Sequence, residues 1–228
     1  MLRQLAPSDL FPQESAGCER RIATLRRLVE RAKSYGIDIY LYMNEPRAME
    51  ASFFQGREQL RGVQEGDHFA LCTSAPEVRQ WLADSLTYVF KQVPHLGGVF
   101  TITASENLTN CYSHGRRAES CPRCSKRSGP EVIAEVNRTI AEGVWAGNPQ
   151  AKVIAYDWGW PDGTSAGWGG PDWASEIIEA LPDNIHVMCV SEWGKSITRG
   201  GVSSGVGEYS ISAVGPGTRA TRQWALAK

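Results

Sequence analysis

The sequence predicts an α/β protein: a partial (β/α)8 TIM-type barrel with about five parallel strands. Three observations lead to this prediction. Strand and helix patterns alternate about five times along the chain. The strand runs are almost continuously apolar, as in a parallel sheet covered by helices. Acidic residues recur just after those runs, where a barrel gathers its functional side chains.

The first predicted elements are a helix, a strand and a second helix. Residues 19–35 carry apolar side chains at helical spacing and end at Gly36, a frequent helix stop. The run 37–43 is short, β-branched and aromatic, which predicts a buried strand. Residues 47–73 show no firm period and predict a long loop. The second helix has an apolar stripe from Val78 to Val93 and capping-box spacing between Ser74 and Glu77.

Strands and helices continue to alternate in the second half of the chain. Gly-rich residues 199–207 lack a P-loop lysine and predict a mobile loop rather than a phosphate site. The other predicted elements are a strand at 99–103, a helix from Gly129-Pro130, a strand at 152–156, a helix at 173–181, a strand at 185–190, a weaker strand at 209–214 and a helix from Thr218.

A barrel and a doubly wound open sheet both fit this alternation. The barrel is favoured because no Gly-rich phosphate loop follows a strand. About five strands are fewer than the eight that a barrel needs, so residues 1–228 are expected to form a single, partial barrel domain. Exposed strand edges favour pairing with another chain, which predicts a homo-oligomer that covers them.

Charge and hydropathy exclude several classes of partner. The 228 residues carry a net charge of −1, which disfavours nucleic acid and anionic membranes as partners. No apolar run approaches the roughly 18 residues that span a bilayer, and the first residues lack the apolar core of a signal peptide. The expected location is therefore cytoplasmic.

Cysteine and histidine cluster between residues 111 and 124. Cys111, His114, Cys121 and Cys124 form a CxxH pair followed by a CxxC pair. A two-residue gap lets both members of a pair reach one ion, and three cysteines with one histidine are an established structural zinc set. In a reducing compartment such a cluster favours metal over disulfides. The pattern predicts a structural zinc-binding loop, with free or disulfide-linked cysteines as the alternative.

Carboxylates follow four predicted strands, and these are Glu45, Glu106, Asp157 and Glu192. In a barrel these strand ends converge, so carboxylates from different strands can meet around a substrate. A pair of carboxylates suits glycosidic bond cleavage, with one as proton donor and one as base, nucleophile or stabiliser. Glu106, Glu192 and Asp157 are the catalytic candidates. Glu45 precedes Pro46, so bracing a loop is an alternative to binding substrate.

Tryptophans crowd the same loops. Trp158, Trp160 and Trp193 lie near the acidic residues, and indole faces stack on sugar rings. Any one of them could instead belong to the core. Together with Asn107, which follows Glu106, they are the predicted substrate-binding residues, and the predicted partner is a carbohydrate.

Three segments resemble the catalytic barrel of family 20 hexosaminidase-like glycoside hydrolases. They are GIDIYLYMNEP, GGVFTITASEN and AYDWGW. In that family the fourth strand ends in an Asp-Glu pair, whose Glu is the general acid and whose Asp orients the substrate's acetamido group. The resemblance places Glu106 at the acid position and Ser105 at the Asp position, where the chain departs from the family. The Cys/His loop is not part of the family pattern.

Three functions remain open from the sequence. The first is a glycoside hydrolase that uses carboxylate acid/base catalysis. The second is a degenerate or truncated barrel that binds carbohydrate without cleaving it. The third is an esterase-type hydrolase, although the chain contains no G-x-S-x-G nucleophile motif.

Overall fold

The computed structural model of the chain describes residues 1–104, 107–113, 118–160 and 172–211, with the backbone alone for 189–195 and 206–211. The helices are α1 Leu2–Leu5, α2 Pro12–Ser15, α3 Cys18–Lys33, α4 Pro76–Gln92, α5 Gly129–Gly147 and α6 Trp173–Ala180. The strands are β1 Tyr40–Met43, β2 Met49–Glu50, β3 Arg61–Glu65, β4 His68–Leu71, β5 Gly98–Ile102, β6 Lys152–Tyr156, β7 Ile185–Arg199 and β8 Val202–Ile211.

The main sheet has the order β1-β5-β6-β7-β8. The strands β1, β5, β6 and β7 are parallel, and β8 is antiparallel to β7. Each of the three parallel crossovers, through α4, α5 and α6, advances by one strand in the same direction. The protein is therefore a mixed α/β fold, as predicted, with a parallel sheet whose strand order does not reverse.

The helices form one layer against the sheet. Crossovers between parallel strands are almost always right-handed, so successive steps in one direction place their helices on the same face. Accordingly, α4 packs on α5, and α5 packs on α6. Along β5 the side chains of Val99 and Thr101 are fully buried, whereas Phe100 between them is half-buried. The helix-covered face thus holds the core.

Aromatic side chains line the opposite face of the sheet. Tyr42 of β1 stacks on Phe100 at 5.4 Å between ring centroids, and Phe100 stacks on Tyr156 of β6 at 5.6 Å. Trp158 follows at 5.9 Å from Tyr156. Tyr42 and Phe100 are directly opposite each other in the β1–β5 register. Phe100 is opposite Ile154, so it reaches Tyr156 diagonally, two residues farther along β6.

A second sheet occupies the segment that was expected to be a loop. Within residues 47–73 the strands β2, β4 and β3 pair in that order, all antiparallel. The β3–β4 turn contains Gly66 with φ 57°, a conformation that glycine adopts without a Cβ clash. The prediction failed because a turn of this kind is fixed by backbone conformation, and the short strands show no long period.

Two further predictions for individual elements were wrong. Ser74 does not cap α4, because that helix begins at Pro76 with Ala75 as its N-cap residue. The capping box occurs instead on α5, where Ser128 and Glu131 bond to each other's backbone N–H groups. Residues 199–207 do not form a loop: Gly200 and Gly201, with φ 58° and 80°, make a tight turn between β7 and β8. The helix predicted from Thr218 lies outside the described residues.

None of the helices in the described ranges combines the length and the apolarity needed to cross a membrane.

Candidate functional site

Four cysteines from distant parts of the chain meet in the core. Cys72 follows β4 directly, and its N–H donates to Leu60 O at 2.8 Å. Cys111 lies in the segment after β5, and Cys121 and Cys124 lie in a turn before α5. All four side chains are buried. We call Cys72, Cys111, Cys121 and Cys124 the four-cysteine group.

The sulfur atoms of this group are spaced for one metal ion. They all lie within 4.8 Å of one another. Cys72 Sγ is 3.6 Å from Cys121 Sγ and 3.7 Å from Cys124 Sγ. A tetrahedral ion with bonds of about 2.3 Å to sulfur would place its ligands about 3.8 Å apart. An iron–sulfur cluster needs wider spacing, because an inorganic core separates its thiolates. The group could therefore hold a single metal ion.

The fourth cysteine was missed from the sequence. Three of the predicted ligands, Cys111, Cys121 and Cys124, do come together, whereas His114 lies outside the described residues. Cys72 takes part instead, although it precedes Cys121 by 49 positions. Its only signal in the sequence is its type, a cysteine directly after an apolar strand-like run.

Polar groups surround the four-cysteine group. Ser74 Oγ lies 3.3 Å from Cys124 Sγ and accepts a hydrogen bond from Arg127 Nη1 at 2.8 Å. Arg127 also pairs with Glu135 of α5 at 2.7 Å, and this contact raises the pKa of the arginine. Arg79 of α4 donates to the same carboxylate at 3.3 Å. Arg127 also interacts electrostatically with Cys124, which suits a thiolate at that position.

The loop that carries Cys121 and Cys124 is fixed by an aromatic side chain. The Tyr112 hydroxyl lies 2.6 Å from Arg127 O and 3.0 Å from Cys124 O, and its one proton is shared between these two acceptors. Its ring meets Trp173 of α6 edge-on at 5.6 Å. Burial raises the pKa of Tyr112, so its hydroxyl stays protonated and remains a donor.

The thiols influence one another even without an ion. Hydrogen bonds from Cys111 and from the other two cysteines lower the pKa of Cys121. The same interaction raises the pKa of Cys111, which acts as the donor. These hydrogen bonds favour loss of a proton within the group, and a thiolate is the form that binds metal.

The carboxyl ends of the parallel strands form a second candidate site. Asp157 directly follows β6, and its N–H donates to Met188 O of β7 at 3.0 Å. Trp158 beside it is half-buried. Asn107, which directly follows Glu106 in the sequence, is half-buried. Glu106 itself lies outside the described residues.

A buried polar network supports the carboxyl end of β5. The Thr103 carbonyl accepts hydrogen bonds from Thr109 Oγ1, at 2.7 Å, and from Asn110 Nδ2. The Thr103 hydroxyl oxygen accepts from Asn137 Nδ2 of α5 at 3.0 Å and from Trp160 Nε1 at 3.3 Å. All of these groups are buried. The network ties the ends of β5 and β6 to α5.

This network places Trp160 in the core. Its side chain is only 3% exposed and its indole N–H is engaged, so it does not present a ring face for a sugar. The expectation that Trp160 binds substrate is therefore not supported by its position. The alternative, core packing, describes it.

Glu45 is also held by internal contacts. Its carboxylate is 2% exposed and accepts from Leu2 N at 3.2 Å and from Arg47 N at 3.2 Å. The terminal ammonium of Met1 lies 3.0 Å from the same carboxylate. These contacts agree with the loop-bracing alternative rather than with substrate binding.

Glu192 and Trp193 lie within a strand rather than beyond one. β7 continues to Arg199 because β8 pairs with it, and Glu192 is opposite Glu208 in that ladder. The predicted strand end at residue 190 was therefore wrong. The parallel pairing of β7 with β6 ends at Met188, so Glu192 lies about 13 Å farther along the strand at about 3.3 Å per residue.

No family model and no curated protein matches the chain.

Proposed function

We propose that the chain is a glycoside hydrolase of (β/α)-barrel type in which Glu106 is the general acid and Asp157 or Glu192 is its partner. One observation carries this proposal most directly, the unreversed strand order of the parallel sheet. A doubly wound sheet reverses its order at the ligand site, whereas a barrel adds each strand on the same side. The four parallel strands match a barrel segment.

The position of the acidic residues supports the same proposal. Asp157 is the first residue after β6. Glu106 is four positions beyond the end of β5, which is the neighbouring strand. Parallel strands bring these ends to one edge of the sheet. Half-buried Trp158 lies at the same edge and offers an aromatic surface for a sugar ring. The sequence resemblance to family 20 hexosaminidase-like enzymes adds to this support.

Glycosidase assays test the proposal. Purified protein is incubated with a panel of aryl glycosides, and Glu106→Gln is compared with wild type. Loss of a general acid is expected to lower the rate roughly 100-fold or more. Glu30→Gln is the control, because Glu30 lies exposed on α3 and its removal should leave the rate unchanged.

Two outcomes would contradict the assignment. Hydrolysis that is unaffected by Glu106→Gln would exclude Glu106 as the acid. Binding of oligosaccharides without hydrolysis of any glycoside would leave the alternative, a barrel that binds carbohydrate and does not cleave it.

We also propose that the four-cysteine group binds a structural zinc ion. Its sulfur spacing matches a tetrahedral ion, and four protein ligands leave no open position for catalysis. Zinc binding would join the β2–β4–β3 sheet, through Cys72, to the segment that follows β5. Because that segment begins at the proposed catalytic residue, the ion would stabilise the edge of the site.

Metal analysis of the purified protein tests the zinc proposal. One zinc per chain is expected in wild type, and Cys72→Ser should lower the metal content to well below one. His114→Ala is the comparison that separates the two possible fourth ligands. Full zinc in Cys72→Ser together with loss in His114→Ala would contradict the role of Cys72, and a metal-free wild type would contradict the site altogether.

A further inference from the structure

A polar pocket opens beside the proposed catalytic edge. Its volume is about 350–400 Å³ in each of two adjoining parts, which share Arg3 and His68. The part next to the edge is lined by Arg47 after β1, by Glu65 and His68 of the β3–β4 hairpin, and by Asn107. Pockets of 300–1,000 Å³ accommodate small ligands. The hairpin that closes this pocket was not predicted from the sequence.

Basic side chains face this pocket from three parts of the chain. Arg47 is exposed, and its guanidinium has no carboxylate partner within the described ranges. His68 of β4 also lines the pocket; it is exposed and has no side-chain hydrogen bond to any described residue. Arg3 is held at the rim by Glu14 at 3.2 Å.

Two acidic side chains also line the pocket, Glu50 in one part and Glu65 in the part that contains Arg47. Glu65 takes part in an interaction of its own, and neither acid forms an ion pair with Arg47 among the described residues. The Arg47 backbone is fixed, since its N–H donates to the buried carboxylate of Glu45 at 3.2 Å. The guanidinium therefore extends from a backbone position that is held by this hydrogen bond, while its own donors stay available. A guanidinium fork matches the paired oxygens of a planar or tetrahedral oxyanion.

We propose that this pocket binds an anionic substituent, a carboxylate or a sulfate ester, on the sugar chain that the enzyme cleaves, with Arg47 as the principal contact. This inference rests on the proposed glycosidase function for the identity of the ligand as a sugar. Asn107 places the pocket within one residue of Glu106 in the sequence, so the charged unit would occupy a subsite next to the cleaved bond.

Calorimetric binding measurements test the proposal without requiring catalysis. The probes are a hyaluronan tetrasaccharide, which carries carboxylates, a carrageenan tetrasaccharide, which carries sulfate esters, and uncharged chitotetraose. At least one anionic probe should bind more tightly than chitotetraose, and its affinity should fall with added salt. Comparison of the two anionic probes identifies which group is preferred.

Arg47→Gln is expected to weaken binding of the preferred anionic probe roughly tenfold to a hundredfold, as for a lost charged hydrogen bond. Binding of chitotetraose should not change. Arg20→Gln is the matched control, because Arg20 is an exposed arginine of α3 without a side-chain partner in the described chain. His68→Gln gives a second, independent variant with a smaller expected loss. Circular dichroism establishes that each variant is folded.

The outcomes separate this inference from the proposed function. Equal binding of charged and uncharged probes, or an unchanged affinity in Arg47→Gln, would overturn the anionic subsite even if glycosides are cleaved. Anionic binding that depends on Arg47 in a protein that hydrolyses no glycoside would support the subsite and contradict the glycosidase.

Discussion

Gly62 of β3 shows how closely the four-cysteine group is packed. A Cβ at this position would lie 2.6 Å from Cys111 Sγ and 3.1 Å from both the Cβ and the carbonyl oxygen of Ala70. A methyl group there must displace the sulfur, because β4 lies on its other side. The glycine is thus required by the position of a cysteine of this group that is distant in sequence.

We expect Gly62→Ala to lower zinc affinity without removing any ligand. The displaced Cys111 sulfur would leave the tetrahedral arrangement, and the loss should be measurable as faster zinc release to a chromogenic chelator. Gly205→Ala is the control, since a Cβ at Gly205 meets no atom within 4 Å. Identical release rates for the two variants would contradict the packing argument.

The sequence allowed three of the four cysteines to be predicted, because CxxC and neighbouring cysteines are local patterns. Cys72 could not be predicted in the same way. It reaches the others only through the β3–β4 hairpin, whose strands are four and five residues long. The burial of Glu45 and Trp160 could not be predicted from the sequence either, since it depends on contacts with α1 and with the end of β5 that no local spacing encodes.

Helices α4 and α5 approach closely at two glycines of α5. A Cβ at Gly143 would lie 2.7 Å from Ala83 O, and one at Gly147 would lie 2.6 Å from Phe90 Cβ. The Gly143 carbonyl also accepts a hydrogen bond from Thr87 Oγ1 at 3.1 Å. Small residues one helical turn apart therefore set the distance between these helices.

Gly143→Ala is expected to destabilise the protein despite the better helix propensity of alanine. Propensity favours the change by about 1 kcal/mol, but insertion of a methyl group against the α4 backbone costs about 1–3 kcal/mol and forces the helices apart. Urea denaturation measures the net loss. Glu142→Ala, an exposed change in the same turn, should stay within about 0.5 kcal/mol of wild type. A more stable Gly143→Ala would show that the helices can separate freely.

Element prediction succeeded where the pattern was long and failed where pairing decided the structure. α4 and α5 have extended apolar stripes, and both occur close to their predicted positions. β7 continues beyond residue 190 only because β8 supplies hydrogen-bond partners. Such partners are chosen by tertiary structure, so local composition gives neither the length of β7 nor the start of β8 at Val202, ahead of the strand predicted at 209–214.

The free edge of β1 is bordered by exposed apolar side chains. Tyr42 is 54% exposed, Ile37 58% and Tyr35 72%. β1 is the first strand of its sheet and pairs with β5 alone among the described strands. An unprotected edge with apolar neighbours favours association with another chain.

Light scattering is therefore expected to give a mass that is a multiple of 25.1 kDa, the mass of one chain. Tyr42→Glu should shift the population toward monomer, because it adds a charge beside the β1 edge. Val202→Glu should not, since Val202 is 69% exposed but belongs to β8 at the opposite end of the sheet. A wild type that remains monomeric at high concentration would contradict the expected oligomer.

Of the whole molecule, the sequence predicted the alternation of strands and helices and the parallel sheet. This much follows because each βα unit has its own apolar pattern. The β2–β4–β3 sheet and its contact with the four-cysteine group could not be predicted, since they depend on which surfaces meet after the βα units have formed.

Cys72 and Cys124 are separated by 52 positions, which bears on the order in which the proposed zinc site would assemble. Cys121 and Cys124 are close enough in sequence to hold an ion in the unfolded chain. Cys72 would reach that ion only after the segment between them, which contains α4 and β5, has folded. Full tetrathiolate coordination would thus be completed late in folding. With cobalt(II) in place of zinc, the colour of the four-sulfur complex would report the arrival of native tertiary structure.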